Sequence, residues 1–290
     1  METADLLKKV RKIEIKTKGL SSHLFSGEYH SAFKGRGMSF SEVRDYHYGD
    51  DVRNIDWNVT ARTGRPHVKV FEEERELTVM LLIDVSGSSM FGSISATKKE
   101  ILTEISAVLA FSAINNNDKV GVLFFSDHVE RYIPPKKGRK HILRIIRELL
   151  DFEASGRKTD LSEAFQFFNN VLKKKSIVFV LSDFATKDYE RALRIVARKH
   201  DLIGLQLTDP REEKIPNVGL IQAEDPETGK IQWMDTSSSG LRKKYEEVFQ
   251  GYQQYFKSTF LKSGAEVVQI KTNASYVNAL LKFFQKRAGI

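Results

Sequence analysis

Hydrophobic positions along this chain follow two different regimes, and the change falls near residue 77. Beyond it, short and mostly apolar runs recur: ELTVMLLID (76–84), KVGVLFFSD (119–127), SIVFVLSD (176–183), DLIGLQLTD (201–209) and AEVVQIKT (265–272). Runs of this length and character predict strands buried on both faces. VERYIPP (129–135) is more polar and predicts an edge strand. Between the runs, apolar residues take helical spacing, as with Ile101, Ile105, Val108, Leu109 and Ile114 inside 95–115. Helices are likewise expected over 139–151, 161–174, 188–199, 238–262 and 276–287. This alternation predicts an α/β fold, with a doubly wound, mainly parallel central sheet and helices on both faces. Such sheets gather ligands outside the carboxyl ends of their strands.

Before residue 77 the texture differs. Residues 3–12 predict a short amphipathic helix. Residues 20–76 carry Gly27, Gly35, Gly37, Gly49 and Gly64, many charges and little periodicity. They predict a small β-rich cap with short strands such as 67–72. Within 35–63, Arg44, Asp45, Tyr46, Gly49, Asp50, Asp51, Arg53, Asp56, Trp57 and Arg62 crowd both signs of charge around aromatics. Their expected role is a salt-bridged cap fixed on the sheet, with a recognition surface as the alternative. A second interruption, near 215–236, reads as an inserted hairpin turning around Pro226 to Gly229. The expected division is a charged cap over 1–76 and an α/β domain over 77–290.

The chemistry concentrates where strands end. The run 76–84 stops at Asp84-Val85-Ser86-Gly87-Ser88, which supplies one carboxylate and two hydroxyls around a glycine that permits a tight turn. The run 176–183 ends in Asp183, and Thr159 opens the helix at 161–174. In a parallel sheet these three loops open on one edge, so their oxygens can converge. Asp84, Ser86, Ser88, Thr159 and Asp183 are all hard oxygen donors, which suit Mg²⁺, Mn²⁺ or Ca²⁺. Asp, Ser and Thr at such positions also cap helices, and that role is compatible with metal binding.

DVSGSS, KTD and LSDF, in this order on this strand pattern, resemble the metal-ion-dependent adhesion site of von Willebrand factor A-type domains. The resemblance implies that the same five residues hold Mg²⁺ or Mn²⁺, with one coordination position left for a partner's acidic side chain. The segment GRGMSFSEVRDYHYGDDVRNIDWNVTART (35–63), the DPETG turn, and Asp209-Pro210 followed by Glu212 resemble domain-of-unknown-function family 58. That family implies a partner among MoxR-type AAA+ ATPases and a role as adaptor or assembly factor.

Composition narrows the remaining choices. The 290 residues are 41% hydrophobic and 29% charged, as in globular proteins rather than disordered ones. No cysteine is present, which removes thiolate metal sites and cysteine nucleophiles. No apolar run reaches the ~18 residues of a membrane span, and the N-terminus lacks an apolar signal core, so a cytoplasmic location is expected. The seven histidines show no zinc spacing, and phosphate-cradling loops and nucleophile elbows are missing. A non-enzymatic role is therefore expected. The net charge of +8, with basic runs at Lys136, Lys137, Arg139 and Lys140 and at Lys173 to Lys175, keeps nucleic-acid binding as an alternative. A strand-end Asp beside hard-cation ligands keeps Mg²⁺-dependent phosphoryl transfer as another, although Ser86 stands where a second acid is needed.

Overall fold

The apolar runs become six strands of one sheet in the computed structural model of this chain, which describes residues 3–20, 29, 33, 38–73, 76–90, 97–225 and 227–289. Gly27, Gly35, Gly37 and Pro226 lie outside the described residues. The chain opens with α1 (Thr3–Leu20), β1 (Met38–Asp45), α2 (Trp57–Thr63) and β2 (His67–Glu73). It continues with β3 (Thr78–Asp84), α3 (Lys98–Asn115), β4 (Lys119–Phe125), β5 (Val129–Lys136), α4 (Arg139–Asp151) and α5 (Leu161–Val171). Then come β6 (Ile177–Ser182), α6 (Glu190–Lys199), β7 (Asp201–Thr208) and the short α7 (Pro210–Glu213). The hairpin β8 (Leu220–Glu224) and β9 (Ile231–Asp235) precedes α8 (Ser239–Lys262), β10 (Glu266–Lys271) and α9 (Tyr276–Ala288).

The large sheet has the order β10-β7-β6-β3-β4-β5. Every pairing in it is parallel except β5, which runs antiparallel to β4 at the edge. This is the doubly wound, mainly parallel architecture expected from the sequence. All seven residues of β3 are buried, because helices cover both of its faces. Val79, Leu81 and Ile83 face a core built with α1, α3, α4 and α9. Met80 and Leu82 face a second core built with α5, α6 and α8. Gly204, on β7, makes room for α8: a Cβ there would stand 2.6 Å from the ring of Phe260 and 2.7 Å from that of Phe256.

The cap departs from expectation in its packing. β1 and β2 pair antiparallel, and α2 is a helix capped by Asp56, whose carboxylate accepts the N–H groups of Asn58 and Val59. The sequence conceals both elements, since β1 (MSFSEVRD) has no apolar run. Its charged residues pair close by. Arg44 grips Asp50 through two hydrogen bonds of 2.7 Å, and Arg53 grips Asp51 two residues away. The Arg53 pair is exposed and the Arg44 pair half-buried, and both are local, so they shape the cap's own turns instead of anchoring it on the sheet. Residues Tyr29 and Phe33 do reach the core, where they pack with Phe284 of α9. Helix α1 runs longer than 3–12, and its Lys16 pairs with Glu104 of α3 at 2.6 Å.

One buried group ties stability to pH. His200, after α6, is 3% exposed, packs on Phe168, and neither ring nitrogen has a partner among the described residues. Burial, reinforced by the Lys199 charge, pushes its pKa down to about 4. Below the ordinary imidazole range the unfolded chain binds a proton that the folded chain refuses. Stability is therefore full above pH ~6.5 and falls as pH drops toward 4, by up to about 3 kcal/mol from this group. His200→Phe is expected to remove that part of the acid sensitivity, measured as the difference in urea midpoints between variant and wild type across this pH range. An unchanged difference would contradict the assignment.

Candidate functional site

The carboxyl ends of β3 and β6 lie side by side at the point where the sheet changes direction. From β3 the chain departs to α3 on one face, and from β6 to α6 on the other. Loops leaving such neighbours splay apart and open a crevice. Asp84 closes β3 and Asp183 follows β6, so the parallel register brings two carboxylates to the same edge.

The five residues singled out from the sequence form one hydrogen-bonded cluster. Asp84 is 3% exposed. Its Oδ1 accepts the Ser86 N–H at 3.0 Å, which turns the chain directly after the strand. Its Oδ2 accepts the Thr159 hydroxyl at 3.2 Å. Thr159 also lies 2.9 Å from Ser86 Oγ, which in turn is 3.2 Å from Ser88 Oγ. The Ser88 hydroxyl reaches the Asp183 carboxylate and closes the set. Backbone bonds hold the loops in this arrangement: the Gly87 N–H donates to Arg157 O at 3.0 Å, and the Asp160 N–H to Ser126 O at 2.8 Å.

Four further residues belong to the site. Ser182 is buried and donates to Asp84 Oδ2 at 2.6 Å while accepting the Phe184 N–H at 3.0 Å. Phe184 adopts the left-handed conformation (φ 55°), and its ring stacks on Phe256 with centroids 4.1 Å apart. That burial offsets the roughly 1–2 kcal/mol cost of a left-handed non-glycine residue and sets the turn that presents Asp183. Lys98, at the start of α3, lies 3.0 Å from Asp183 Oδ2 and 2.5 Å from Glu212 Oε1. Glu130 clamps the loop ahead of Thr159, accepting from Ser126 Oγ, Ser155 N and Gly156 N at 2.7, 3.0 and 2.9 Å. Sequence reasoning noted Glu212 after Asp209-Pro210 without giving it a role. No local pattern separates Lys98 from the other basic residues, or Glu130 from an edge-strand acid.

The electrostatics are those of a crowded anionic site. Burial, and then the negative charge of Asp183, push the Asp84 carboxyl above its usual range against the pull of Ser182 and Ser86. Burial also works to raise Asp183, but the Lys98 ammonium, the Ser88 hydroxyl and the Ala185 N–H outweigh it and hold it low. The inserted hairpin adds another acid: burial and then the Asp183 charge raise the Glu227 carboxyl. Its Gly229 packs against the guanidinium of Arg157. Among the described residues no three His, Cys, Asp or Glu side chains come together as a metal centre. The donor set is instead two carboxylates with the hydroxyls of Ser86, Ser88 and Thr159. Oxygen donors of this kind, with two acids repelling each other, fit a hard divalent cation.

The fold and cluster define a doubly wound α/β protein with a hydrogen-bonded group of oxygen donors at its switch point. The profile of the family described as "protein of unknown function DUF58" matches residues 42–254, and the chain belongs to that family. The Mycobacterium tuberculosis (strain H37Rv) protein Rv1480 is 26% identical over 281 residues, covering 96% of this chain and 88% of that protein. Among solved structures, the conserved hypothetical protein BatB from Bacteroides thetaiotaomicron is similar with 15% identity and a TM-score of 0.48, covering 74% of this chain and 100% of that one. The von Willebrand A domain of SpRpn10 is similar with 12% identity and a TM-score of 0.38, covering 71% of this chain and 93% of that one.

Gly156 offers a test of the loop that carries Thr159. A Cβ there would stand 2.1 Å from Asp127 Oδ1 and 2.4 Å from Ser126 Oγ. Gly156→Ala is expected to displace the loop and destabilise the protein by about 1–3 kcal/mol in chemical denaturation. Wild-type stability would show that the loop is not held as described.

Proposed function

We propose that this protein is a metal-dependent protein–protein interaction module that takes a divalent cation on Asp84, Ser86, Ser88, Thr159 and Asp183. The observation that carries the reading is the pair of carboxylates, buried Asp84 and half-buried Asp183, set against each other and joined through three hydroxyls at the switch point. Mg²⁺ is the first choice, with Mn²⁺ or Ca²⁺ as chemical equivalents. The bound ion supplies an electrophilic position for an acidic side chain of a partner protein. The chain's own residues orient it: Ser182 and the Ser86 N–H hold the Asp84 carboxylate in place, and Glu130 holds the Thr159 loop. The family resemblance favours an adaptor or assembly factor working in the cytoplasm with a MoxR-type AAA+ ATPase. No helix among the described residues is long and apolar enough to cross a membrane.

Two other chemistries find less support. The basic run at 136–140 lies by the first residues of β4, at the opposite end of the sheet from Asp84. Within it Lys137 pairs with Glu76 and Arg139 with Glu14, which takes charge away from a nucleic-acid surface. Phosphoryl transfer needs a lysine free to meet a phosphate. Lys98 is near, but it is 2% exposed and engaged by Asp183 and Glu212.

Saturating Mg²⁺ or Mn²⁺ is expected to stabilise the wild-type chain, by about 2.7 kcal/mol at a hundred times Kd, and to leave Asp84→Ala unmoved. A pull-down in Mg²⁺ is expected to lose its partners with EDTA and with Asp84→Ala. A partner set unchanged by both treatments would refute the metal bridge. Mg²⁺-dependent turnover of a generic phosphate ester, abolished by Asp84→Asn, would favour the enzyme reading instead.

A further inference from the structure

The cluster already contains one cation, and it belongs to the chain. Lys98 is among the largest fully enclosed side chains of the protein. The surrounding positions of α3, Ile101, Leu102 and Ile105, are buried and apolar. A charged lysine in such a place is costly unless paired, and breaking one side of the pair leaves the other charge stranded. Its two partners lie on different loops. Asp183 follows β6, and Glu212 sits in α7 beyond β7. Glu212 divides its oxygens: Oε1 meets Lys98, while Oε2 accepts the Asp209 N–H at 3.0 Å and completes a capping box on α7. Asp209 in turn accepts the Thr272 hydroxyl at 2.9 Å, beyond β10. The ammonium therefore sits between the proposed ion ligand Asp183 and a network spanning the ends of β7 and β10.

We infer that Lys98 and Glu212 form an internal counter-charge pair that sets how tightly the site holds its divalent cation. Lys98 draws on the Asp183 carboxylate and so competes electrostatically with an incoming ion. Glu212 draws on Lys98 and relieves that competition. The two residues act in opposite directions, which a merely structural ion pair does not do. With the lysine absent, Asp183 and Glu212 face each other without compensation, so the divalent ion is attracted more strongly while the ion-free protein is less stable. With Glu212 neutral, the whole ammonium charge bears on Asp183 and the ion is held less strongly. This inference rests on the cation reading above.

The test is calorimetric titration of the full chain with Mn²⁺ alone, for wild type, Lys98→Met, Glu212→Gln and Lys98→Arg. Lys98→Met is expected to bind at least about tenfold tighter, since a unit charge a few ångströms away is removed from a poorly screened site. Its ion-free Tm should fall and its Mn²⁺-induced rise in Tm should exceed that of wild type. Glu212→Gln retains an oxygen for the Asp209 N–H, as a glutamine serves in a capping box, and is expected to bind several-fold weaker. Lys98→Arg keeps the charge and is expected to bind within a few-fold of wild type. Weakening by both Lys98→Met and Glu212→Gln would mean a structural pair and would overturn the inference. Equal affinity in wild type, Lys98→Met and Glu212→Gln would overturn it while leaving the cation reading standing. Should Lys98→Met not fold, Glu212→Gln decides, and unchanged or tighter binding in that variant overturns it. Wild type that takes no Mn²⁺ would bring down both readings.

Discussion

Two carboxylates are forced together at one edge of a buried sheet, and the architecture around them answers that repulsion. Asp84 and Asp183 end neighbouring parallel strands whose register leaves little freedom to separate them. Asp84 is buried and Asp183 only half-buried, so neither charge is fully screened by water. The protein answers with donors. Ser182, Thr159 and the Ser86 N–H turn toward Asp84, while Ser88, the Ala185 N–H and Lys98 turn toward Asp183. The donors come from the turn after β3, the loop ahead of α5, the end of β6 and the start of α3, so the conformations of these loops answer the same electrostatic need.

The scaffold supplies the stiffness this arrangement requires. Phe184, Phe256 and Phe260 pack as one aromatic group directly beneath the Asp183 turn. Gly204 lets that group lie close against the sheet. On the other side, Glu130 fastens the Thr159 loop to the edge strand β5. The hairpin of β8 and β9 is different in kind. Its outward residues Leu220, Ile231 and Trp233 are exposed, while Gly229 in its turn packs against Arg157 of the loop that carries Thr159.

The fold was legible in the sequence to the level of which segments form strands and helices and of a mainly parallel sheet, while the order of the strands in the sheet was not. Buried parallel strands leave long apolar signatures, and helices of this length carry their own periodicity. The cap was the least legible part. β1 is mostly polar, and α2 begins at an aspartate cap that resembles an ordinary turn. Its arginine–aspartate pairs suggest contact with the sheet, yet residues so close in sequence pair with each other inside the cap. The ligand candidates were legible because Asp84, Ser86 and Ser88 lie on one strand end, and because Asp183 and Thr159 punctuate the next elements. Ser182 stands beside Asp183 and went unnoticed, since a serine at a strand end has many ordinary uses.

By itself, then, the sequence determined the alternation of elements, the edge where their loops meet and the chemical type of the five side chains collected there. These follow from local periodicity and from the rule that parallel strands share an end. Only the tertiary structure decided which charges face one another. Lys98 and Asp183 are 85 residues apart, and the Asp84 and Ser182 pair is 98 apart. Contacts at such separation are set by sheet order and helix packing, and neither propensity nor spacing encodes them. What the sequence presented as five oxygen ligands is, in three dimensions, an anionic site with its own buried lysine.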